Sequence, residues 1–149
     1  MTAIKMNNER IFKMAKIIDG KAVSQKVKDE IRAEIERDGL DIGLAVVIVG
    51  NNQASRVYVN NKKKACEVCG IKSYEYALPE ETSEEQLLEL VDTLNNDKNI
   101  NGILVQLPLP KQINEEKIIE RISPLKDVDA FNAVNVGKIM IGNYAFLPC

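Results

Sequence analysis

The chain has 149 residues, 45% hydrophobic and 28% charged, the balance of a folded globular domain with room for one sizeable core and not for two. Twenty basic against 22 acidic residues leave a formal net charge of -2, so the electrostatic footprint of a nucleic-acid binder is missing. Histidine is absent, which excludes imidazole triads, Cys-His dyads and His-ligated metals, and the longest apolar run, 43–49, falls far short of the roughly 20 residues of a membrane span.

Residues 1–13 have no continuous apolar segment and read as a tag or other non-native extension, with Met14 the expected native start. Asp19 to Arg37 predicts a helix, with Val23, Val27, Ile31 and Ile35 recurring every four residues. Leu44 to Val49 is a β-branched apolar run suited to a strand buried on both faces. Ala54 to Cys69 predicts a second helix stopped by Gly70, and Lys72 to Leu78 a second strand. Thr82-Ser83-Glu84-Glu85 opens a third helix running to about Asn95, and Ile103 to Gln106 forms a third strand leading into an extended Leu107-Pro108-Leu109-Pro110. Asn114 starts a short fourth helix through Arg121, and the chain from Pro124 onward reads as irregular. Phe146-Leu147-Pro148-Cys149 shows neither a polar tail nor a helix stop and reads as cut off.

Strands alternating with helices predict an α/β fold: three layers, α/β/α, around a mostly parallel sheet of about four strands. Ligands of such sheets bind at the carboxyl ends of the strands. That directs attention to Gly50-Asn51-Asn52 with the start of the second helix, and to Gln106 with the residues just after it. The eight glycines form neither G-x-G-x-x-G nor a G-x-x-x-x-G-K-[ST] loop, so no nucleotide motif is present. Cys66 and Cys69 make a C-x-x-C, but one further cysteine and no histidine cannot complete a zinc site. Both lie at a helix C-terminus, where the dipole does not activate a thiol, and are expected to be core side chains. Three cysteines make no even disulfide set and point to a reducing compartment.

On the second helix Ser55, Tyr58 and Lys62 fall within roughly 60° of one another, and Cys66 and Cys69 continue the stripe. A lysine and a tyrosine are thus expected on the inward stripe. Periodicity leaves two readings of Lys62 open: an amine poised for chemistry, or a buried stem whose ammonium reaches solvent.

Four ordered segments carry a family resemblance. Gly43-Leu-Ala-Val-Val-Ile-Val-Gly50-Asn-Asn-Gln-Ala-Ser55-Arg-Val-Tyr58-Val-Asn-Asn-Lys62-Lys-Lys-Ala-Cys66 resembles the first signature of the methylenetetrahydrofolate dehydrogenase/cyclohydrolase family. Gly102-Ile-Leu-Val-Gln106-Leu-Pro-Leu-Pro110 resembles the second, and Pro124-Leu-Lys-Asp127-Val-Asp129-Ala-Phe131 with Asn135-Val-Gly137 the third. Lys16-Ile-Ile-Asp-Gly-Lys21 resembles the family's opening, so the likeness runs from Met14 to Cys149.

The resemblance implies that residues 14–149 are the folate-binding, catalytic N-terminal domain. It implies that Pro148-Cys149 would lead through a Thr-Pro pair into a Rossmann-type domain holding NADP or NAD, which this chain lacks. The implied work is one-carbon folate metabolism in the cytoplasm. Water adds to 5,10-methenyltetrahydrofolate to give 10-formyltetrahydrofolate and, with the second domain, 5,10-methylenetetrahydrofolate is oxidised. The partners implied are tetrahydrofolate derivatives and a second copy of the chain, with no metal, nucleic acid or membrane. The alternative is a non-catalytic folate-binding or dimerisation module, which a stop codon directly after Cys149 would favour.

By resemblance Lys62 is the catalytic residue and Gln106 the glutamine that hydrogen-bonds it. The methenyl carbon is cationic, and a cation beside an inward lysine disfavours the ammonium, freeing an amine to take a proton from water. An amide orients that amine without restoring its charge, as a carboxylate would. Tyr58 matches the tyrosine that stacks on the pterin, and Asp129 the carboxylate facing the two parallel N–H groups of its amino-pyrimidine edge. Ser55 is a further candidate for a polar substrate contact, and Asp127 is assigned to loop structure. Members often read Asp-Gly-Phe-His-Pro where this chain has Asp129-Ala-Phe-Asn132-Ala133. The lost glycine is expected to stiffen the loop that positions Asp129. The lost histidine is expected to bear on pterin affinity and not on the chemistry.

Overall fold

The run Gly43–Val49 is apolar at every position after its first glycine, and only a strand with helices on both sides can bury all of it. In the computed structural model, which describes residues 17–148, it is the central strand β1. It pairs in parallel with β2 (Lys72–Leu78) on one side and β3 (Gly102–Val105) on the other, giving the order β2-β1-β3. Among the described residues the sheet has three strands where about four are expected. At the position of a fourth, the chain makes only an isolated parallel bridge between Ile103 and Asp127. The expected extension at 1–13, the start at Met14 and the end at Cys149 lie outside the described residues.

Five helices flank the sheet among the described residues: α1 (Gly20–Asp38), α2 (Gln53–Cys69), α3 (Glu84–Asn96), α4 (Glu115–Arg121) and α5 (Ala133–Met140). Alternation along β1 sorts the core into two layers. Ala45, Val47 and Val49 pack with Leu87, Val91 and Leu94 of α3 and Ile118 of α4. Val46 and Ile48 pack with Leu104 of β3 and Val59 of α2. Helix α1 lies on α2 as an outer element. The class predicted from the sequence, α/β in three layers around a parallel sheet, is the one found.

Local signals set the boundaries. Asp19 caps α1 and Asn52 caps α2, each accepting from first-turn amides. Ser83 and Gln86 form a reciprocal capping box on α3. Gly70 ends α2 in the left-handed region at φ 80°, its amide bonding back to the last turn. Gly50 ends β1 in the left-handed region at φ 80°, which side-chain-bearing residues rarely adopt.

One expectation is corrected. The stretch after Pro124 is not wholly irregular, since α5 occupies Ala133–Met140. Gly137 lies inside it, and Val134, Val136 and Met140 are exposed, so the sequence shows no buried stripe to betray a helix. On α1 the four-residue stripe is covered only at its C-terminal end: Ile35 is buried and Ile31 partly so, whereas Val23 and Val27 are exposed.

Candidate active site

Helix α2 starts directly after the carboxyl end of β1, and β3 ends beside it. Side chains from one helix and from a neighbouring strand end therefore meet. Lys62, two turns beyond buried Ser55, is partly buried, and its Nζ donates to Gln106 Oε1 at 3.3 Å. That is long for such a bond and leaves room for the amine to shift toward another partner. The Gln106 backbone amide donates to Val47 O at 2.8 Å, which extends the β1–β3 ladder by one residue and fixes the base of the side chain. Its Nε2 donates to Leu107 O at 2.8 Å. This second bond sets the amide's orientation: a flip would set oxygen against the carbonyl and a donor against Lys62. The peptide after it, Leu107–Pro108, is cis.

Asp129 comes from the other direction, on the loop after α4. It is partly buried, and burial raises its carboxyl above the ordinary value of 3.8. The Lys62 ammonium pulls it back down and Asp127 pushes it up, so Asp129 lies within electrostatic reach of the lysine that Gln106 hydrogen-bonds.

One of the expected site residues sits differently from the inward stripe read from α2. Ser55 is buried at 5% exposure, but Tyr58 is 63% exposed. The buried line of α2 runs through Ser55, Val59, Cys66 and Cys69, and Tyr58 lies roughly 60° off its centre, at the rim. A ring at the rim has a face free for a planar ligand, which an inward ring would lack.

The cysteines behave as core. Cys66 and Cys69 are buried and free, and burial pushes the Cys66 thiol up, away from the reactive thiolate. Among the described residues no three His, Cys, Asp or Glu side chains are grouped to hold a metal ion. The β1–α2 turn does not fit a nucleotide phosphate either. Asn52 Oδ1 already accepts the Ser55 amide at 3.1 Å, and Gly50 is the turn's one glycine.

Sequence reasoning missed the anchors of the Asp129 loop. Lys126 Nζ donates to the carbonyls of Leu94 at 3.0 Å and Asp97 at 2.8 Å, closing the C-terminal end of α3. Asn132, expected to bear on pterin affinity, is 5% exposed and committed elsewhere. Its Nδ2 donates to Ile122 O at 3.1 Å, with longer contacts to Ile119 O and Glu120 O, and its Oδ1 caps α5 at the Val134 amide. An asparagine directly before the helix is an N-cap signal, but Asn135, Gly137 and Lys138 interrupt the apolar run that would have drawn attention to it.

Residues 18–129 match the family model described as tetrahydrofolate dehydrogenase/cyclohydrolase, catalytic domain. The chain belongs to that family. It is 59% identical over 138 residues to the bifunctional protein FolD of Acetivibrio thermocellus, covering 91% of this chain and 48% of that protein. Its fold is similar to the crystal structure of the Campylobacter jejuni bifunctional enzyme, methylenetetrahydrofolate dehydrogenase/cyclohydrolase. That match has a TM-score of 0.83 and 48% identity over 88% of this chain and 48% of that one. It is also similar to the Trypanosoma brucei dehydrogenase-cyclohydrolase complexed with NADP cofactor and inhibitor. There the TM-score is 0.85, with 35% identity over 91% of this chain and 48% of that one. The chain spans about half the length of the curated relatives it matches.

Proposed function

We propose that this chain carries the tetrahydrofolate-binding and water-adding half of a bifunctional methylenetetrahydrofolate dehydrogenase/cyclohydrolase. The observation that carries the reading is the hydrogen bond from Lys62 Nζ to the oriented amide of Gln106, with the Asp129 carboxyl within electrostatic reach of that lysine. Lys62 is the general base. The substrate's cationic methenyl carbon favours its neutral amine, which takes a proton as water attacks that carbon. The carbon–N5 bond then breaks; of the two water protons, one ends on N5 and the other leaves to solvent. Gln106 holds the amine in line without supplying a charge. Asp129 accepts the amino-pyrimidine N–H groups, Tyr58 stacks on the pterin from the rim, and Ser55 adds a polar contact to the substrate near Lys62.

The oxidation of the methylene form belongs to the same reading. It takes a nicotinamide nucleotide, NADP or NAD, which supplies the hydride acceptor. The β1–α2 turn offers the nucleotide no phosphate cradle, and by the family resemblance its binding is assigned to a separate domain. A homodimer in the cytoplasm completes the proposal. Exposed Val23 and Val27 on α1 and Val134, Val136 and Met140 on α5 provide apolar surface that self-association would cover. Sedimentation of the chain across a concentration series tests it, a strictly monomeric species counting against it.

The decisive variant is Lys62→Ala, assayed in this chain and after fusion to the C-terminal half of a full-length relative. Water addition to methenyltetrahydrofolate should fall by about 10²–10⁴-fold, the usual worth of a general base. The thermal midpoint should hold, because Lys62 is only partly buried. Near-normal turnover in the fused enzyme would refute the assignment.

A further inference from the structure

Asp127 is the most buried charged residue among the described ones, at 2% exposure, and the reaction does not use it. A buried carboxylate is costly unless its oxygens are met by donors. Here Oδ2 accepts from the Asn132 backbone amide at 2.8 Å and from Asn135 Nδ2 at 3.0 Å. Its backbone is tied in the other direction. Residue 127 bridges Ile103 of β3 in parallel, and the Ile103 amide donates to Lys126 O at 2.7 Å. The Asp127 carbonyl also accepts the Ala130 amide at 3.2 Å. One residue thus holds both ends of the segment 127–132, the near end by its main chain on the sheet and the far end by its carboxylate. Asp129 stands at the middle of that segment, and Ala130 beside it is bent into the left-handed region at φ 53°.

We propose that Asp127 is a positioning residue that closes the 127–132 loop so that Asp129 faces the substrate's amino-pyrimidine edge. The proposal rests on the folate reading of this site. Both groups facing Oδ2 are donors, so a single oxygen closes the loop on the Asn132 main chain and on α5 at once, and a side chain without it strands both donors. Asn135 stays oriented toward that oxygen, because its Nδ2 also donates to Pro124 O at 2.9 Å. The Asp127 charge moreover acts on the Asp129 carboxyl, pushing it up.

The test measures affinity of this chain for 5-formyltetrahydrofolate by calorimetry, in the parent, Asp127→Ala, Asp129→Ala and the double variant, with thermal unfolding alongside. Asp127→Ala should weaken binding about tenfold, the order expected when hydrogen bonds to a charged group are lost. In the Asp129→Ala background the same substitution should add nothing, because the residue being aimed is gone. An equal loss in both backgrounds, or no loss in either, overturns the positioning role. If Asp127→Ala does not fold, Asn135→Ala leaves the Asn132 bond in place. It should show a smaller loss with the same dependence on Asp129, and a loss independent of Asp129 overturns the proposal. An unmodified chain that does not bind, or one whose binding ignores Asp129→Ala, overturns the folate-site reading and this proposal with it. Asp129-dependent binding that is indifferent to Asp127 and Asn135 overturns the proposal alone.

Discussion

Lys62 and Gln106 stand on a helix and at a strand end whose places are fixed by apolar burial. Asp129 stands on a loop fixed by hydrogen bonds among buried polar groups. In the first region Val46, Ile48, Val59 and Leu104 lock α2 to the sheet, and the positions of the two candidate side chains follow from where the elements end. In the second, Lys126, Asp127, Asn132 and Asn135 tie one loop to α3, β3, α4 and α5. Apolar packing is non-directional and tolerates volume-conserving exchange. A polar clamp is directional, and one lost partner strands another. The two parts of the site should therefore fail differently: the first in rate with the fold intact, the second in stability and affinity together.

Beyond loss of Lys62 itself, the largest expected effect falls on the clamp. Asn132→Ala removes the α5 cap and the donor to the α4 carbonyls, and should cost about 2 kcal/mol of stability. Urea denaturation checks this. A loss under about 0.5 kcal/mol, the range of an ordinary surface change, would mean that water replaces these bonds and that the loop is not polar-clamped.

Gln106→Glu probes the other region. A carboxylate beside Lys62 keeps the ammonium charged, so water addition near neutral pH should slow at least about tenfold, and the rate should recover as pH rises. The denaturation midpoint should hardly move, because the strand and helix carrying the pair are held by their apolar neighbours. A rate profile identical to the parent's would show that the lysine's charge state does not limit the reaction.

The same contrast governs how much the sequence alone could reveal. The β-branched run at 44–49 and the period of α2 announced the sheet, the layers and the Lys62 stripe, because apolar periodicity is a direct record of burial. That period misplaced Tyr58 because a residue 60° from the buried line can turn either way, and helical angle alone does not say where the neighbouring strand stops. Helix α5 and the clamp stayed hidden for another reason. Their stability comes from asparagines, a lysine and an aspartate, residue types that outside a protein signal solvent and turns, and only the tertiary fold shows that their partners are buried.

A smaller effect is expected from Asp129→Asn, and its sign is informative. Burial raises the folded-state carboxyl above its ordinary 3.8, so the folded chain holds that proton more tightly than the unfolded one does. The native protein therefore loses stability relative to Asp129→Asn as pH rises from 3.8 through the raised value, and the deficit is constant above it. Comparing denaturation midpoints of the two between about pH 3 and pH 7 isolates this one carboxyl from the others. A gap that opens as pH falls would mean that Asp129 is stabilised as an anion in the absence of ligand.

The smallest effect should come from Ala130→Gly, where the loop meets the family's usual glycine. A left-handed alanine costs about 1–2 kcal/mol, which glycine relieves. Against that, glycine loses about 0.5–1 kcal/mol more backbone entropy on folding, and the Ala130 methyl, buried at 4% exposure, gives up a contribution of about 0.8 kcal/mol. The terms nearly cancel, so the variant should lie within about 0.5 kcal/mol of the parent. That balance explains how alanine is accommodated where a glycine would be expected: burial of its methyl recovers what the backbone angle loses. A gain above about 1 kcal/mol would show strain dominating, and a loss above about 2 kcal/mol would show the methyl to be a core contact of the loop.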